Sequence, residues 1–341
     1  MDTVRDLPKT RTLRPTAWLL EGDGAVRTEY LTALEGAADA PEVREARRLI
    51  MTEGPVPAIL AEQLPDGHWV GRDQFYTAKY RGTVWSLLIL AELGADGADE
   101  RVRAACEAVL RDAQDPNSGG FAHKRSKKAG GGLHSEVIPC LTGNLVFSLV
   151  RFGMLDDPRV RRAIDWITSW QRFDDGDGHP PTGWPYDRYE MCWGRHTCHM
   201  GAVKALKALA EVPPERRTSA MQATIGAGAE YLLRHHIFKR SHDLARVSKP
   251  GWRRFGFPLM YQTDVLEILW ILARLDPAYL CDERAREALD LVASKADAQG
   301  RWQLEQTFND RFVVPIEAKG EPSRWVTLRA LEVLRAAGRE V

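Results

Sequence analysis

The chain has 341 residues, 44% of them apolar and 28% charged, which is the composition of a soluble globular protein with ample material for a core. Lys plus Arg and Asp plus Glu both total 47, so no global field directs the protein to nucleic acid or to an anionic membrane, although local basic loops can still hold a small anion. Five cysteines point to free thiols in a reducing compartment rather than to a disulfide framework. The first residues lack a signal-peptide core and no apolar stretch reaches bilayer length, so the expectation is a cytoplasmic protein with no transmembrane segment.

The predicted elements are helical. A short helix at 15–21 precedes a run at 24–36, where Val26, Tyr30 and Leu34 keep helical spacing. From about residue 41 two kinds of stretch alternate. Amphipathic ones lie at 42–62, 99–113, 157–171, 217–238 and 281–296. More uniformly apolar runs lie at Thr83–Gly94, Thr142–Gly153, Gly201–Val212, Thr263–Leu275 and Thr327–Gly338. The apolar runs start roughly sixty residues apart and show spacings such as Val84, Leu87, Leu88 and Ala91. Asp156-Asp157-Pro158-Arg159 has the form of a helix N-terminus.

A turn marker recurs between the two kinds of helix: Gln63-Leu-Pro-Asp-Gly-His-Trp69, Gln114-Asp-Pro-Asn-Ser-Gly-Gly-Phe121, Gln171-Arg-Phe-Asp-Asp-Gly176 and Gln299-Gly-Arg-Trp302. Glycine permits the tight turn, the aromatic plugs into the helix pair, and glutamine bonds exposed backbone at a helix end. Asp174-Asp175-Gly176-Asp177-Gly178 coincides with the third marker and lacks EF-hand spacing, so it reads as a turn. Trp69, Phe121 and Trp302 are therefore structural, as are Cys106 and Cys281 in or beside outer helices.

This alternation predicts one all-α domain over residues 1–341, an α/α toroid of about six inner and five to six outer helices. Residues 1–40 supply N-terminal helices and the repeats run from about residue 41 onward. An open superhelical array is the alternative. Closure is favoured because the inner runs carry aromatic, polar and thiol groups at their N-terminal ends, and a ring makes these converge. No linker rich in Gly, Ser or Pro divides the chain.

The segment Glu190–His199 holds Cys192, His196, Cys198 and His199, the thiol and imidazole groups that zinc prefers. The whole chain from about residue 40 to 340 resembles the prenyltransferase and squalene-cyclase repeat superfamily. Gln63–Trp69 fits the cyclase Q-x-x-x-G-x-W marker, and Gly119-Gly120-Phe121 is similar to the Gly-Gly-Phe turn of protein prenyltransferase β-subunits. The resemblance implies a toroid that acts as a terpenoid cyclase, isomerase or prenyl-transfer enzyme. Its substrate would be an isoprenoid, such as an isoprenyl diphosphate, or another long apolar molecule in a central cavity.

The same resemblance suggests site residues. His196-Thr-Cys198 is similar to the His-Thr-Cys that carries the zinc-binding histidine of prenyltransferases. Cys140 falls near that family's cysteine, with Ile138 in the place of its aspartate and Glu136 two residues upstream. The implied zinc ligands are Cys140, Cys192, His196 and Glu136. Tyr261-Gln-Thr-Asp264 is similar to the end of the cyclase D-x-D-D acid motif, with Thr263 where the family's proton donor stands.

Catalytic candidates are thus Asp264, Tyr261, His196 and Cys198. Asp264 follows an apolar approach in which burial would make it a usable acid; the alternative is a helix-capping aspartate. Candidates for substrate binding at or near the inner-helix starts are Arg81, Trp85, Asn144, Tyr189, Trp193, Arg324 and Trp325. The loops Lys124-Arg-Ser-Lys-Lys128 and Arg246, Lys249, Arg253 and Arg254 suit a diphosphate. Two rival readings stay open: a carbohydrate lyase or hydrolase using Asp187, Tyr189, Arg195 and His196, and a non-catalytic lipid-binding toroid.

Overall fold

The computed structural model describes residues 15–176, 178, 179 and 181–339, so the first fourteen residues of the expected N-terminal segment and Asp177 of the acidic turn lie outside the described residues. The protein is mostly helical. At the N-terminus, α1 (Thr16–Leu20) leads to α2 (Gly24–Glu29), which continues as a π-helical turn over Tyr30–Leu34. The stretch expected as one helix at 42–62 is two, α3 (Pro41–Ile50) and α4 (Pro55–Ala61). Gly54, at φ 70°, and Pro55 cause the break, because a left-handed residue followed by one without an N–H cannot continue a helix.

The repeats follow as α5 (Thr83–Glu92), α6 (Glu100–Asp112), α7 (Pro139–Arg151), α8 (Pro158–Trp170), α9 (Glu190–Trp193), α10 (His199–Ala210), α11 (Ser219–Arg234), α12 (Val265–Leu275), α13 (Arg286–Ala293) and α14 (Arg324–Ala336). The apolar runs correspond to α5, α7, α10, α12 and α14. Three of these start earlier than hydrophobicity suggested, because polar or proline residues form their first turns: Pro139, His199 and Arg324. In the stretch 281–296 only α13 is α-helical; short 3-10 turns at Pro277–Cys281 and Glu283–Ala285 lead into it. Two small antiparallel pairs complete the described elements: β1 (Lys239–Arg240) with β2 (Asp243–Val247), and β3 (Trp302–Gln303) with β4 (Pro322–Ser323).

Composition explains the two burial classes. Every residue of α5 is buried, as its almost wholly apolar sequence demands. In α6 a single stripe is covered, including Val102, Ala105, Cys106 and Val109, and the arginines and glutamates face out. The apolar helices pack in succession, α5 on α7, α7 on α10, α10 on α12, α12 on α14 and α14 on α2.

The first two markers join consecutive repeats by the same bonds. Gln63 Nε2 donates to the carbonyls of Gly67 (3.1 Å) and Arg101 (2.9 Å), and Gln114 Nε2 to those of Gly119 (2.8 Å) and Arg159 (2.7 Å). Each glutamine thus ties its own turn to the next outer helix. The main-chain N–H groups of Trp69, Phe121 and Trp302 donate to the hydroxyls of Thr83, Thr142 and Thr327 at 3.2, 3.0 and 3.0 Å. Burying each marker aromatic contributes about 2–3 kcal/mol, so the markers fasten one inner helix start to the preceding outer helix.

Between the apolar helices the interior is crossed by charge. Lys204 and Lys207 of α10, Glu92 of α5, Glu267 of α12 and Arg329 of α14 are all buried. Lys204 Nζ donates to both Glu267 oxygens at 2.7 Å, and Lys207 Nζ bridges Glu267 (2.9 Å) and Glu92 (2.5 Å). Arg329 reaches Glu92 at 2.6 Å and so links the last helix to α5. Burial alone would raise the Glu267 carboxyl, but Lys204, Lys207 and Arg329 hold it down at about 2. The middle of the helix assembly is therefore polar.

Candidate active site

The loops that connect each marker to the next apolar helix carry the chemistry. Residues 70–82 bring Tyr76, Lys79 and Tyr80 to the start of α5, where Trp85 lies. Residues 254–264 bring Tyr261 to the start of α12. The Lys79 ammonium sits over three rings, 4.4 Å from the centroid of Tyr261, 4.9 Å from Tyr76 and 5.8 Å from Trp85. Tyr76 and Trp85 are 4.9 Å apart and Tyr80 and Trp85 5.1 Å, so the rings form one box. The indole N–H of Trp85 donates to the Tyr76 carbonyl (2.8 Å), which fixes one wall. Among the described residues no carboxylate stands in ion-pair range of Lys79, so ring faces supply its electrostatic partners.

An acid–base group adjoins this box. His123, two residues beyond the marker Phe121, lies 5.5 Å from the Tyr76 ring. Its Nε2 is 2.9 Å from the Tyr189 hydroxyl and 2.8 Å from Glu136 Oε2. The Tyr189 hydroxyl donates to Glu136 in a very short hydrogen bond. Lys124 Nζ, at 3.2 Å, and Arg188, at 3.4 Å, also approach Glu136.

The protonation states follow from these contacts. Burial would raise Glu136, but bonds from Tyr189 and Lys124 and the neighbouring His123 lower it, so the carboxylate is ionised. Burial and the bond to Glu136 push the Tyr189 phenol up to about 12. Burial lowers His123, which favours neutral imidazole. A phenol held between a carboxylate and an imidazole can pass a proton in either direction. Tyr189 takes left-handed backbone angles, φ 46° and ψ 72°, an unfavourable state for a tyrosine that the surrounding contacts must enforce.

The candidates read from the sequence separate into groups. Tyr261, Trp85 and Tyr189 belong to the box and the acid–base group. Cys140, Cys192 and Cys198 are electrostatic neighbours, and burial, with Cys198 beside it, pushes the Cys192 thiol up to about 12. The Cys140 thiol is raised by burial too, and these two thiols stay protonated and unreactive.

The expected zinc set of Cys140, Cys192, His196 and Glu136 is not brought together. Glu136 is engaged by Tyr189, His123, Lys124 and Arg188, whereas His196 stands beside Asp175, its Nδ1 3.7 Å from Oδ1. Among the described residues, the group close enough to hold an ion is Asp175, His196 and His242, whose ligand atoms lie within 4.8 Å of one another. Asp175 of the acidic turn thus has neighbours that its own segment did not announce.

Asp264 is 1% exposed, and burial pushes it up to about 7. Its two oxygens accept from the main-chain N–H groups of Glu267 and Gly256, both at 2.8 Å, which is the helix-capping arrangement. Several expected substrate contacts are engaged elsewhere. Trp193 is buried against Trp166 and Tyr186, Trp325 stacks on Phe257 at 4.6 Å, and Arg324 lies over Trp18. Arg81 donates to the Phe312 carbonyl (3.2 Å), and Asn144 donates to that of Met260 (3.1 Å), leaving its own oxygen unpaired. The sequence reading missed Tyr76, Lys79 and His123. Their available signal was position, since each lies in a segment joining a marker to an inner helix.

No protein-family model matches the chain, nor does any curated protein. Among solved structures the chain is similar to the type II terpene cyclase MstE from Scytonema in its apo form, with 16% identity over 95% of this chain and 96% of that one and a TM-score of 0.44. A variant of the same cyclase in complex with geranylgeranyl dihydroxybenzoate, its substrate, matches at 15% identity over 91% and 86% of the two chains, with a TM-score of 0.41. A protein from Actinoplanes matches at 16% identity over 83% and 97%, with a TM-score of 0.30. Among the described residues no helix is long and apolar enough to cross a membrane.

Proposed function

We propose that the protein is an α/α-toroid enzyme acting on an isoprenoid or a similarly long apolar molecule. The toroid reading is supported by the successive packing of the apolar helices and by the Arg329–Glu92 pair that ties the last to α5. The substrate would bind on the N-terminal side of these helices, where the ring box and the acid–base group lie.

The observation that carries the reading is the ring box around Lys79. Tyr76, Trp85 and Tyr261 stabilise a positive charge there, and the same faces would shape a prenyl chain or stabilise a cationic intermediate once the flexible Lys79 stem swings out. Glu136, Tyr189 and His123 would then add or remove the proton that starts or ends the reaction.

One observation favours a second reading. A Tyr–His pair rimmed by Lys124 and Arg188 also suits proton abstraction from an acidic sugar, as in a carbohydrate lyase. A single experiment separates the two. Purified protein is incubated with geranylgeranyl diphosphate, a prenylated phenol and uronate oligosaccharides, and products are read by mass spectrometry. The isoprenoid reading predicts a changed prenyl compound, with turnover at least about a hundredfold lower in Tyr189→Phe at unaltered melting temperature. An unsaturated sugar product, or tight retention of an unchanged lipid, would replace it with the lyase or the binding-protein reading.

A further inference from the structure

The third repeat departs from the others at two equivalent positions. Where Trp69, Phe121 and Trp302 donate a main-chain hydrogen bond to the next inner-helix threonine, the third marker uses Asp174, whose N–H donates to the Thr197 hydroxyl at 2.9 Å. This shared bond sets the register. The residue after the donor is Val70, Ala122 or Gln303 in the other repeats and Asp175 in the third. The residue before the threonine is Gly82, Leu141 or Val326 elsewhere and His196 here. Two positions without an ionisable group in the sister repeats thus become a carboxylate and an imidazole.

The backbone holds them face to face. Asp175 and His196 form a β-bridge, with the Gly176 N–H donating to the Arg195 carbonyl (3.0 Å) and the Thr197 N–H to that of Asp174 (2.9 Å). Gly176 is required: a Cβ there would come within 2.4 Å of the His196 ring, and its φ is +87°. His242, from the turn between β1 and β2, donates through Nε2 to the Asp175 carbonyl (2.6 Å), and this nitrogen is 3.9 Å from Asp175 Oδ1.

Asp175 is only 3% exposed, and neither carboxylate oxygen accepts a hydrogen bond. His235 Nε2, 3.2 Å from Oδ1, is likewise buried without a hydrogen-bond partner. An unbonded buried carboxylate is costly unless a cation balances it. The spacings fit one. Two ligands about 2.1 Å from a tetrahedral ion stand about 3.4 Å apart, close to the 3.7 Å between Asp175 Oδ1 and His196 Nδ1. His242 Nε2, 3.9 Å from the same oxygen, becomes a ligand when it gives up its proton and its bond to the Asp175 carbonyl.

We propose that Asp175, His196 and His242 form a divalent transition-metal site, best suited to zinc, with an open position for an anionic group. Two imidazoles and one carboxylate are a ligand set that leaves coordination free for solvent or substrate. The two histidines are 62% and 59% exposed, so that position faces outward. It opens into a cavity of about 600 Å³ that Arg246 and Lys249 also line, and these cations suit a phosphate or carboxylate bound to the metal. The site uses neither Cys140 nor Glu136 and stands whether or not the substrate is an isoprenoid.

The test is a titration of chelator-treated protein with Co2+ and Zn2+. One equivalent of Co2+ should bind, with visible bands of a nitrogen- and oxygen-ligated ion and no thiolate charge-transfer band. His196→Ala and His242→Ala should each weaken binding more than about a hundredfold, and Cys198→Ser should leave it unchanged. Both histidines are exposed, so the variants should keep the parent unfolding midpoint in the absence of metal. The proposal is overturned by absence of stoichiometric binding, by binding that survives both histidine changes, or by a thiolate band that Cys198→Ser removes.

Discussion

Two groups of buried charge in this protein are built in opposite ways. In the interior network every charged group meets partners of opposite sign: Lys204 and Lys207 against Glu267, and Lys207 and Arg329 against Glu92. In the third repeat, Asp175 is as deeply buried, yet its oxygens accept no hydrogen bond; its neighbours are imidazoles, buried His235 and exposed His196 and His242. A compensated network needs nothing from outside and fixes how helices meet, whereas a carboxylate with only imidazoles about it, at the edge of a cavity, is suited to something that binds. The box around Lys79 lies between these extremes, since its charge is balanced by ring faces that another cation can use.

The largest expected effect tests the compensated side. Lys207→Met removes the bridge between Glu92 and Glu267, leaving Arg329 to Glu92 and Lys204 to Glu267, and should lower the unfolding free energy by about 3–5 kcal/mol in urea titration. A loss below about 1 kcal/mol would mean that water or rearrangement replaces the ammonium.

Acid should act on the same network and on a second buried carboxylate outside it, Asp112. The Glu267 carboxyl is held at about 2 against an ordinary 4.5, and Asp112, despite burial, is held at about 2 against 3.8 by Arg72, Arg111 and His68. For carboxylates depressed in the folded state, the stabilisation is complete above the unfolded value and is lost as pH falls toward the folded one. Urea midpoints should therefore fall between pH 4.5 and pH 2, and Glu267→Gln should flatten that slope.

Asp264→Asn should cost less, about 1–2 kcal/mol, because an amide can accept only one of the two capping bonds. Circular dichroism melting of that variant, compared with its turnover, distinguishes a cap from an acid: a proportional loss of both indicates the cap. The smallest effect belongs to the open cluster. His196→Ala should change metal-free stability by no more than about 0.5 kcal/mol, and a larger drop would place His196 among the structural residues.

Much of the helical framework was legible in the sequence, because the apolar runs and the Gln–Gly–aromatic markers report local periodicity and turn chemistry. The break at Gly54–Pro55 was also there to be read. The interior network was less visible. Lys204 and Lys207 lie three apart in an otherwise apolar helix and look like a surface stripe, although charges in helices buried on all sides must find partners across the fold.

The candidate site was only half legible. Tyr189, Tyr261 and Trp85 stood out as aromatics near inner-helix starts. His123 and Tyr189 are 66 residues apart, and only tertiary structure places them against Glu136. The Cys–His segment drew attention through composition, but adjacent side chains diverge: His196 turns to Asp175 and His242, and Cys198 to Cys140 and Cys192.

The most direct test of the central claim is a crystal structure with a prenyl dimethylammonium compound, a stable stand-in for a prenyl cation. The account predicts its ammonium between Tyr76, Trp85 and Tyr261, the Lys79 side chain displaced, and the chain on the N-terminal side of the inner helices. Lys79 still seated among the three rings, with the compound absent or bound elsewhere, would contradict it.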